Sequence, residues 1–216
     1  MKAIIVTGGD IDLSSLADYI EKNKDNIIIS VDAAIKNLEK INVLPDIMVG
    51  DFDTLDDDER LEKYASLDVE IVKHDPVKDF SDSELAVDRA VEAGIKDIAV
   101  FGAMGKRFDH AFANVLILQK YKKLGVDITV YDKYNKIYVK SNHFTLEKDK
   151  LWGKYISFFS LECKSFMKKL SGVKYPIENR MIDSIATPSL YISNEMNGDR
   201  LEAVFGGDLL VVESRD

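Results

Sequence analysis

The sequence predicts an α/β domain with a mostly parallel sheet covered by helices, followed by a small all-β sandwich. Up to residue 132, short apolar runs alternate with segments that have helical spacing. The apolar runs are nearly continuous, as in parallel strands that are buried on both faces. From residue 133, strand-like runs follow one another without intervening helices, which is typical of an antiparallel sandwich. The predicted domains are therefore residues 1–132 and 133–216.

The first domain is expected to alternate strands with helices. Its strands are predicted in the runs "KAIIVTGG", "NIIISVD", "DIMVGDFD", "VEIVKHD", "KDIAVFGA" and "VDITVYD". The helices are predicted in "LSSLADYIEKN", "AAIKNLEKI", "DDERLEKYASL", "SDSELAVDRAVEAG" and "FDHAFANVLILQKYKKLG". In the fourth helix, Ser81 and Glu84 form a capping box, and Gly94 marks the end. Ligands of such sheets lie beyond the carboxyl ends of the strands, so a site is expected there.

Acidic residues follow several of these strand ends. Asp32 ends the second predicted strand, and Asp75, Asp79 and Asp82 follow the fourth. Asp51 and Asp53 follow the third strand, and residues two apart in an extended chain project to the same side. Two carboxylates about 4 Å apart repel by roughly 1 kcal/mol in water and about 4 kcal/mol at an effective dielectric constant near 20, so the pair favours a divalent cation. A solvated loop that caps the next helix explains the same residues without a metal.

The fifth predicted strand leads through the turn "GAMGKR" into a helix. Lys106 and Arg107 lie beside the free backbone N–H groups at the start of that helix, a place that favours phosphate. The turn is not a Walker A loop, because only two residues separate Gly102 from Gly105 and Arg107 follows the lysine. Asp109 in the first helical turn is explained equally well by a favourable interaction with the helix dipole.

The second domain is predicted from the strand-like runs "NKIYVKSN", "HFTLEKD", "KYISFFSLE", "RLEAVFGG" and "LLVVESRD". The formal net charge of −9 argues against a nucleic-acid partner. No run approaches the roughly 18 apolar residues of a transmembrane helix, so no membrane partner is expected. Cys163 is the single cysteine, which excludes an internal disulfide and favours a cytoplasmic location.

Five motifs occur in order along the chain, "VGDFDT", "KDFSDSELA", "GAMGKRFDHAFANVLIL", "ISNEM" and "GDLLVVESRD". Together they resemble the thiamine pyrophosphokinase family. The resemblance implies an N-terminal α/β domain that binds nucleotide and metal, and a C-terminal β-sandwich that binds thiamine and forms a dimer. It implies a homodimer with active sites between subunits. It also implies Mg²⁺-dependent transfer of pyrophosphate from ATP to the hydroxyl of thiamine, with release of AMP.

The resemblance assigns roles to particular residues. The acidic metal and substrate site is matched by Asp32, Asp51, Asp53 and Asp82. The residues implied in catalysis are Asp51, Asp53, Asp82 and Arg107. The substrate-binding positions are matched by Lys78, Asp79 and Asp109 on the nucleotide side and by Ser193 and Asn194 in the segment that meets thiamine.

The chain departs from the family pattern at three places. Ala33 and Ala34 stand where the family often has two glycines, and Lys106 stands where a second glycine is common. The last 60 residues contain no tryptophan that could stack on thiamine.

Two other functions remain open from the residues alone. One is a metal-dependent nucleotidyl- or glycosyltransferase with a D-x-D site, which shares the metal and the nucleotide but releases other products. The other is a nucleotide-binding module without catalysis, which predicts binding without turnover.

Overall fold

The structure is a computed structural model that describes residues 1–52, 58–75, 80–105 and 107–216, without the side chains of residues 58–60. It divides the chain into two compact units, Met1–Lys133 and Tyr134–Asp216. The predicted class, an α/β part followed by a β-rich part, is confirmed. That each part has its own function stays a prediction. Among the described residues, no helix is long and apolar enough to cross a lipid bilayer.

The first unit contains a parallel sheet with strand order β6-β5-β1-β2-β3-β4. The strands are β1 Ala3–Val6, β2 Ile27–Val31, β3 Ile47–Gly50, β4 Glu70–Lys73, β5 Asp97–Phe101 and β6 Asp127–Tyr131. The helices are α1 Leu13–Glu21, α2 Ile35–Lys40, α3 Asp58–Ala65, α4 Asp82–Glu92 and α5 Phe108–Lys123. A short 3₁₀ turn, Asp32–Ala34, precedes α2.

Burial explains why the continuous apolar runs form central strands. All four residues of β1 and of β3 are buried, as expected for strands covered on both faces. The helices bury one stripe each, for example Leu16 and Ile20 of α1, and these join Ile4, Val6 and Met48 in a common core. At about 25 cal/mol per Å² of apolar surface, this core provides the main favourable term for folding of the unit.

The strand order places a topological switch point between β1 and β5. From β1 the chain adds strands in one direction to β4, and β5 then returns to the other side of β1. At such a point the connections from neighbouring strands leave in opposite directions, which opens a crevice beyond the carboxyl ends of the strands. A ligand site is therefore expected beyond the ends of β1 and β5.

The second unit is built from antiparallel strands around the long strand β12. The strands are β7 Asn135–Glu147, β8 Tyr155–Ser160, β9 Lys164–Ser171, β10 Ile177–Asp183, β11 Asn194–Glu195 and β12 Arg200–Ser214. β12 pairs with β7 along both lengths, with β9 through its first half and with β8 through its second half. Side chains of these strands, among them Phe144, Phe158 and Leu201, form one core.

A buried ion pair joins the two long strands of the second unit. The carboxylate of Glu213 in β12 is fully buried and lies 2.8 Å from the ammonium of Lys136 in β7. Its other oxygen accepts the N–H of Trp152 at 2.6 Å. Removal of either charge would leave the other buried without compensation, so this part of the closing motif "GDLLVVESRD" serves the fold.

Candidate active site

A cleft of about 570 Å³ lies beyond the carboxyl ends of the strands in the first unit. Four segments line it. They are the segment after β1, the segment after β2, the start of α4 and the connection from β5 to α5. The lining residues are Thr7, Gly8, Gly9, Asp10, Val31, Asp32, Ala33, Ser81, Asp82, Ser83, Gly102, Ala103, Gly105, Arg107, His110 and Asn114. The predicted residues Asp32, Asp82 and Arg107 therefore share one cleft, although they are far apart in sequence.

Asp32 is held in an unusual conformation at the floor of this cleft. Its φ of 47° lies in the left-handed region that non-glycine residues rarely adopt. Its Oδ1 atom is buried and has no hydrogen-bond partner among the described residues. Gly50, the last residue of β3, packs against this carboxylate so closely that any side chain at position 50 would overlap with it. A strained, incompletely paired carboxylate is typical of a functional site.

Three carboxylates interact electrostatically at this point. The pKa of Asp32 is raised to about 6, mainly by burial and also by the negative charges of Asp82 and Asp51, whereas hydrogen bonds from the backbone N–H groups of Phe52 and Asp51 oppose the shift. The strand ends thus bring Asp32, Asp51 and Asp82 together, as the sequence predicts. Asp53 lies outside the described residues.

The raised pKa of Asp32 predicts a pH-dependent stability of the metal-free protein. The pKa is about 6 in the folded state and 3.8 in its ordinary state, so ionised Asp32 destabilises the fold above about pH 6, and this effect disappears as the pH falls towards 4. A shift of this size corresponds to about 3 kcal/mol, which partial exposure reduces to about 1–2 kcal/mol. We therefore expect Asp32→Asn to be more stable than wild type at pH 8 by that amount.

Urea unfolding of both proteins in a chelator, at several pH values, measures the difference. As the pH falls from 8 to 4, the free energy of unfolding of wild type should approach that of the variant until the two are equal. A difference that does not change with pH would show that Asp32 carries no unfavourable charge.

The cleft contains carboxylate oxygens, the ligand type that Mg²⁺ prefers. Among the described residues, no group of three or more Asp, Glu, His or Cys side chains is close enough to hold a metal by itself. Mg²⁺ keeps several water ligands and is usually bound by one or two carboxylates together with substrate phosphates, so a preformed cage is not required. The unpartnered Oδ1 of Asp32 provides a free acceptor for this purpose.

Arg107 stands at the N-terminus of α5, where free backbone N–H groups favour an anion. Its guanidinium binds the carboxylate of Asp109 through two hydrogen bonds, Nη2 to Oδ2 at 2.6 Å and Nε to Oδ1 at 3.2 Å. This hydrogen bonding raises the pKa of Arg107 and lowers the pKa of Asp109. Both side chains are largely exposed, so the pair is weak and an anionic ligand can replace Asp109.

The start of α4 is fixed by contacts on both sides of Asp82. Ser81 caps the helix by accepting the N–H of Glu84 at 3.2 Å. The carboxylate of Glu84 accepts a hydrogen bond from Lys120 of α5 at 2.6 Å, and the ammonium of Lys120 lies 5.3 Å from the centre of the Phe80 ring. These contacts connect the start of α4, which carries Asp82, to α5. The predicted substrate-binding residues Lys78 and Asp79 lie outside the described residues, as does Lys106.

The remaining predicted residues, Ser193 and Asn194, lie in the second unit. Asn194 is buried and lines a pocket of about 230 Å³ together with Tyr175, Arg180 and Leu190. Its side-chain amide accepts the N–H of Tyr175 at 3.0 Å and donates to the C=O of Tyr175 at 2.8 Å. Ser193 is exposed and adopts a φ of 55°. Direct contact of Asn194 with a ligand stays a prediction, but its amide already has a structural function.

Sequence reasoning missed three parts of these two sites. Gly50 gives no signal beyond its place at a strand end, since its packing against Asp32 depends on the fold. Tyr175 lines the pocket of the second unit, and the lack of tryptophan in the last 60 residues gives no signal for it. The segment after β1 was missed as part of the cleft. Its sequence "TGGD" contains two glycines directly after a strand, which is a known signal for close backbone approach.

Comparison with known proteins gives consistent results. A sequence profile described as "Thiamin pyrophosphokinase, catalytic domain" matches residues 19–130. The thiamine pyrophosphokinase of Bacillus subtilis (strain 168) is 34% identical over 222 residues, which covers 100% of both chains.

Solved structures of the same kind are also similar. The crystal structure of thiamine pyrophosphokinase from Bacillus subtilis matches with a TM-score of 0.86 and 31% identity, covering 100% of both chains. The structure of thiamin pyrophosphokinase from Geobacillus thermodenitrificans matches with a TM-score of 0.84 and 30% identity, covering 100% of this chain and 98% of that one. Yeast thiamin pyrophosphokinase shares the fold, with a TM-score of 0.77 at 14% identity over 98% of this chain and 85% of that one.

Proposed function

The chain belongs to the thiamine pyrophosphokinase family, and on this premise we propose that the cleft of the first unit binds ATP and holds the reacting phosphates. The enzyme transfers pyrophosphate from ATP to the hydroxyl of thiamine and forms thiamine diphosphate and AMP. The observation that supports the location best is the meeting of Asp32, Asp51 and Asp82 at the strand ends in the cleft that also contains Arg107. A cytoplasmic location belongs to the same proposal.

The acidic group fits Mg²⁺. Asp32, Asp51 and Asp82 offer oxygen ligands, and the free Oδ1 of Asp32 is available for direct coordination. Bound Mg²⁺ would neutralise charge on the triphosphate and hold it in position. Such a transfer leaves little covalent chemistry to the protein, so positioning and charge stabilisation provide most of the catalysis. We assign to these residues the orientation of the phosphates. Asp53, two residues after Asp51, is proposed to help hold the same cation.

Arg107 is proposed to bind phosphate oxygens of ATP. In the free protein its guanidinium is held by Asp109, which keeps it at the start of α5. A triphosphate is a stronger partner than a single exposed carboxylate, so Arg107 can change partners when ATP binds. The planar guanidinium can then donate two parallel hydrogen bonds, which lysine cannot do.

This role predicts the effect of Arg107→Lys. We expect kcat/KM for ATP to fall by about tenfold or more, because charge is kept but two-point hydrogen bonding is lost. Steady-state kinetics with varied ATP measures the loss. Arg89→Lys is the matched control, since Arg89 makes a two-point contact with Glu70 but does not line the cleft. Unchanged kinetics in Arg107→Lys, or an equal loss in both variants, would remove Arg107 from the nucleotide site.

The second unit is proposed to bind the thiamine rings. Its pocket contains the exposed ring of Tyr175, whose backbone is fixed on both sides by Asn194. An aromatic ring on a fixed backbone, beside apolar side chains, suits a flat, cationic heteroaromatic ligand. In this proposal Asn194 acts by orienting Tyr175, and the exposed Ser193 is available for a polar contact with thiamine.

A homodimer is the proposed assembly. The outer face of α5 exposes Phe108 (79%), Phe112 (52%) and Leu116 (49%), which form one apolar stripe because they are four residues apart. In the second unit, Ile185 and Leu190 are also exposed, at 76% and 52%. Contiguous apolar surface of this kind marks an association site in a protein that is otherwise highly charged. Two-fold symmetry would allow each subunit to complete the site of its partner.

A further inference from the structure

The segment after β1, residues Thr7 to Asp10, forms a wall of the cleft to which no function has been given. Gly9 packs backbone to backbone against Gly102 and Gly105 of the connection to α5, so a side chain at position 9 would overlap with the carbonyl of Gly102. At Gly8, by contrast, an added Cβ would meet nothing within 4 Å. The wall is therefore fixed to the segment that leads to Arg107, and its surface at Gly8 is open to the cleft.

The side chain that this wall presents is the carboxylate of Asp10. No hydrogen bond or ion pair of this carboxylate is found within the described part of the chain. Asp12, two residues later, differs: it caps α1 by accepting the N–H of Ser14 at 3.1 Å, and it also binds the hydroxyls of Ser14 and Ser15. The fold thus uses Asp12 and leaves Asp10 available in the cleft.

Asp10 also lies on a different segment from the acidic group. Asp32 follows β2, Asp51 follows β3 and Asp82 begins α4, whereas Asp10 follows β1. A carboxylate outside the metal group repels phosphate, so Asp10 does not suit the triphosphate. It suits a neutral donor, and two neighbouring hydroxyls can donate to the two oxygens of one carboxylate.

From the position and chemistry of this carboxylate we propose that Asp10 binds the ribose hydroxyls of ATP and makes the enzyme specific for ribonucleotides. The inference depends on the proposed function, in which the phosphates of ATP lie between Arg107 and the acidic group. The wall that carries Asp10 touches the segment leading to Arg107. The ribose is the neighbour of the phosphate chain in ATP and the part of ATP that carries a pair of hydroxyl donors.

The test compares ATP with its 2′-deoxy and 3′-deoxy analogues in wild type and in Asp10→Ala. Loss of a hydrogen bond to a charged group corresponds to a decrease of about 10- to 100-fold. We expect wild type to prefer ATP over at least one analogue by this factor in kcat/KM. In Asp10→Ala the preference should shrink to less than about threefold, because the variant loses both hydroxyl contacts with ATP but only the one contact that a deoxy analogue retains. Asp18→Ala, an exposed acid on α1 outside the cleft, should keep the wild-type preference.

Calorimetric binding of AMP and 2′- and 3′-deoxy-AMP gives the same comparison without turnover, so it decides the ribose contact even if thiamine diphosphate is not formed. Failure to form thiamine diphosphate would contradict the proposed function, whereas binding would still report on Asp10. The inference is overturned if wild type does not distinguish the ribonucleotide from either analogue, or if Asp10→Ala keeps the full preference. It is also overturned if the variant changes KM for thiamine and leaves the nucleotide preference unchanged.

Discussion

Replacement of Asp51 by asparagine is expected to lower kcat by at least about 100-fold while the protein remains folded. This is the size of effect found when one group that stabilises charge in a transition state is removed. Asp51 is one of the charges that raise the pKa of Asp32, so it lies at the centre of the acidic group. Asparagine keeps the shape and one oxygen but removes the negative charge that, in the proposed function, attracts Mg²⁺.

The measurement is steady-state turnover at several Mg²⁺ concentrations, together with the melting temperature in a chelator. The metal-free variant should be as stable as wild type or slightly more stable, because repulsion between Asp51 and Asp32 is relieved. Asp25→Asn, an exposed position outside the cleft, serves as the control for loss of one charge. Turnover close to wild type in Asp51→Asn would mean that this residue belongs to a solvated loop.

Mixing two inactive variants is expected to restore activity if each site is shared between subunits. One variant is Asp51→Asn in the first unit, and the other is Tyr175→Ala in the second unit. Tyr175 is a better choice than Asn194, because Tyr175 is 59% exposed, whereas Asn194 is buried and holds the backbone of residue 175. Loss of the Asn194 side chain would remove its hydrogen bonds to three backbone groups, the N–H and C=O of Tyr175 and the N–H of Glu195, and reduce stability by about 1–3 kcal/mol.

Two-fold symmetry sets the size of the recovery. After random exchange, half of the dimers are mixed, and each mixed dimer has one site with both substitutions and one with neither. Activity should therefore rise to at most about a quarter of wild type. Exchange is verified independently with differently tagged subunits. If exchange is complete and activity does not rise, each site is formed within one chain.

The class of the fold and the acidic part of the site could be predicted from the sequence because both follow from general rules. Continuous apolar runs bury parallel strands on both faces, and parallel strands bring their carboxyl ends to one edge. These two rules are sufficient to place Asp32, Asp51 and Asp82 near each other. The rules do not specify the φ of Asp32 or its packing against Gly50, since both depend on how the segment after β2 packs against the end of β3.

The second unit was predicted less well, for physical reasons. β9 and β10 were missed because their apolar residues do not mark the buried face: Phe166 of β9 is exposed, while its neighbour Ser165 is buried and bonds to Ser160. β12 was predicted as two strands because Gly206 and Gly207 interrupt the pattern. In the structure these glycines lie at a bulge in one long strand, between Val204 and Asp208.

The most direct test of the account is the identification of the products formed from ATP, Mg²⁺ and thiamine by the purified protein. The account predicts thiamine diphosphate and AMP in equal amounts, with no product when Mg²⁺ is removed by a chelator and full recovery when it is restored. Nuclear magnetic resonance of phosphorus and chromatography of the nucleotides measure both products in one sample. Formation of ADP with thiamine monophosphate, release of inorganic diphosphate without thiamine diphosphate, or nucleotide binding without turnover would contradict it.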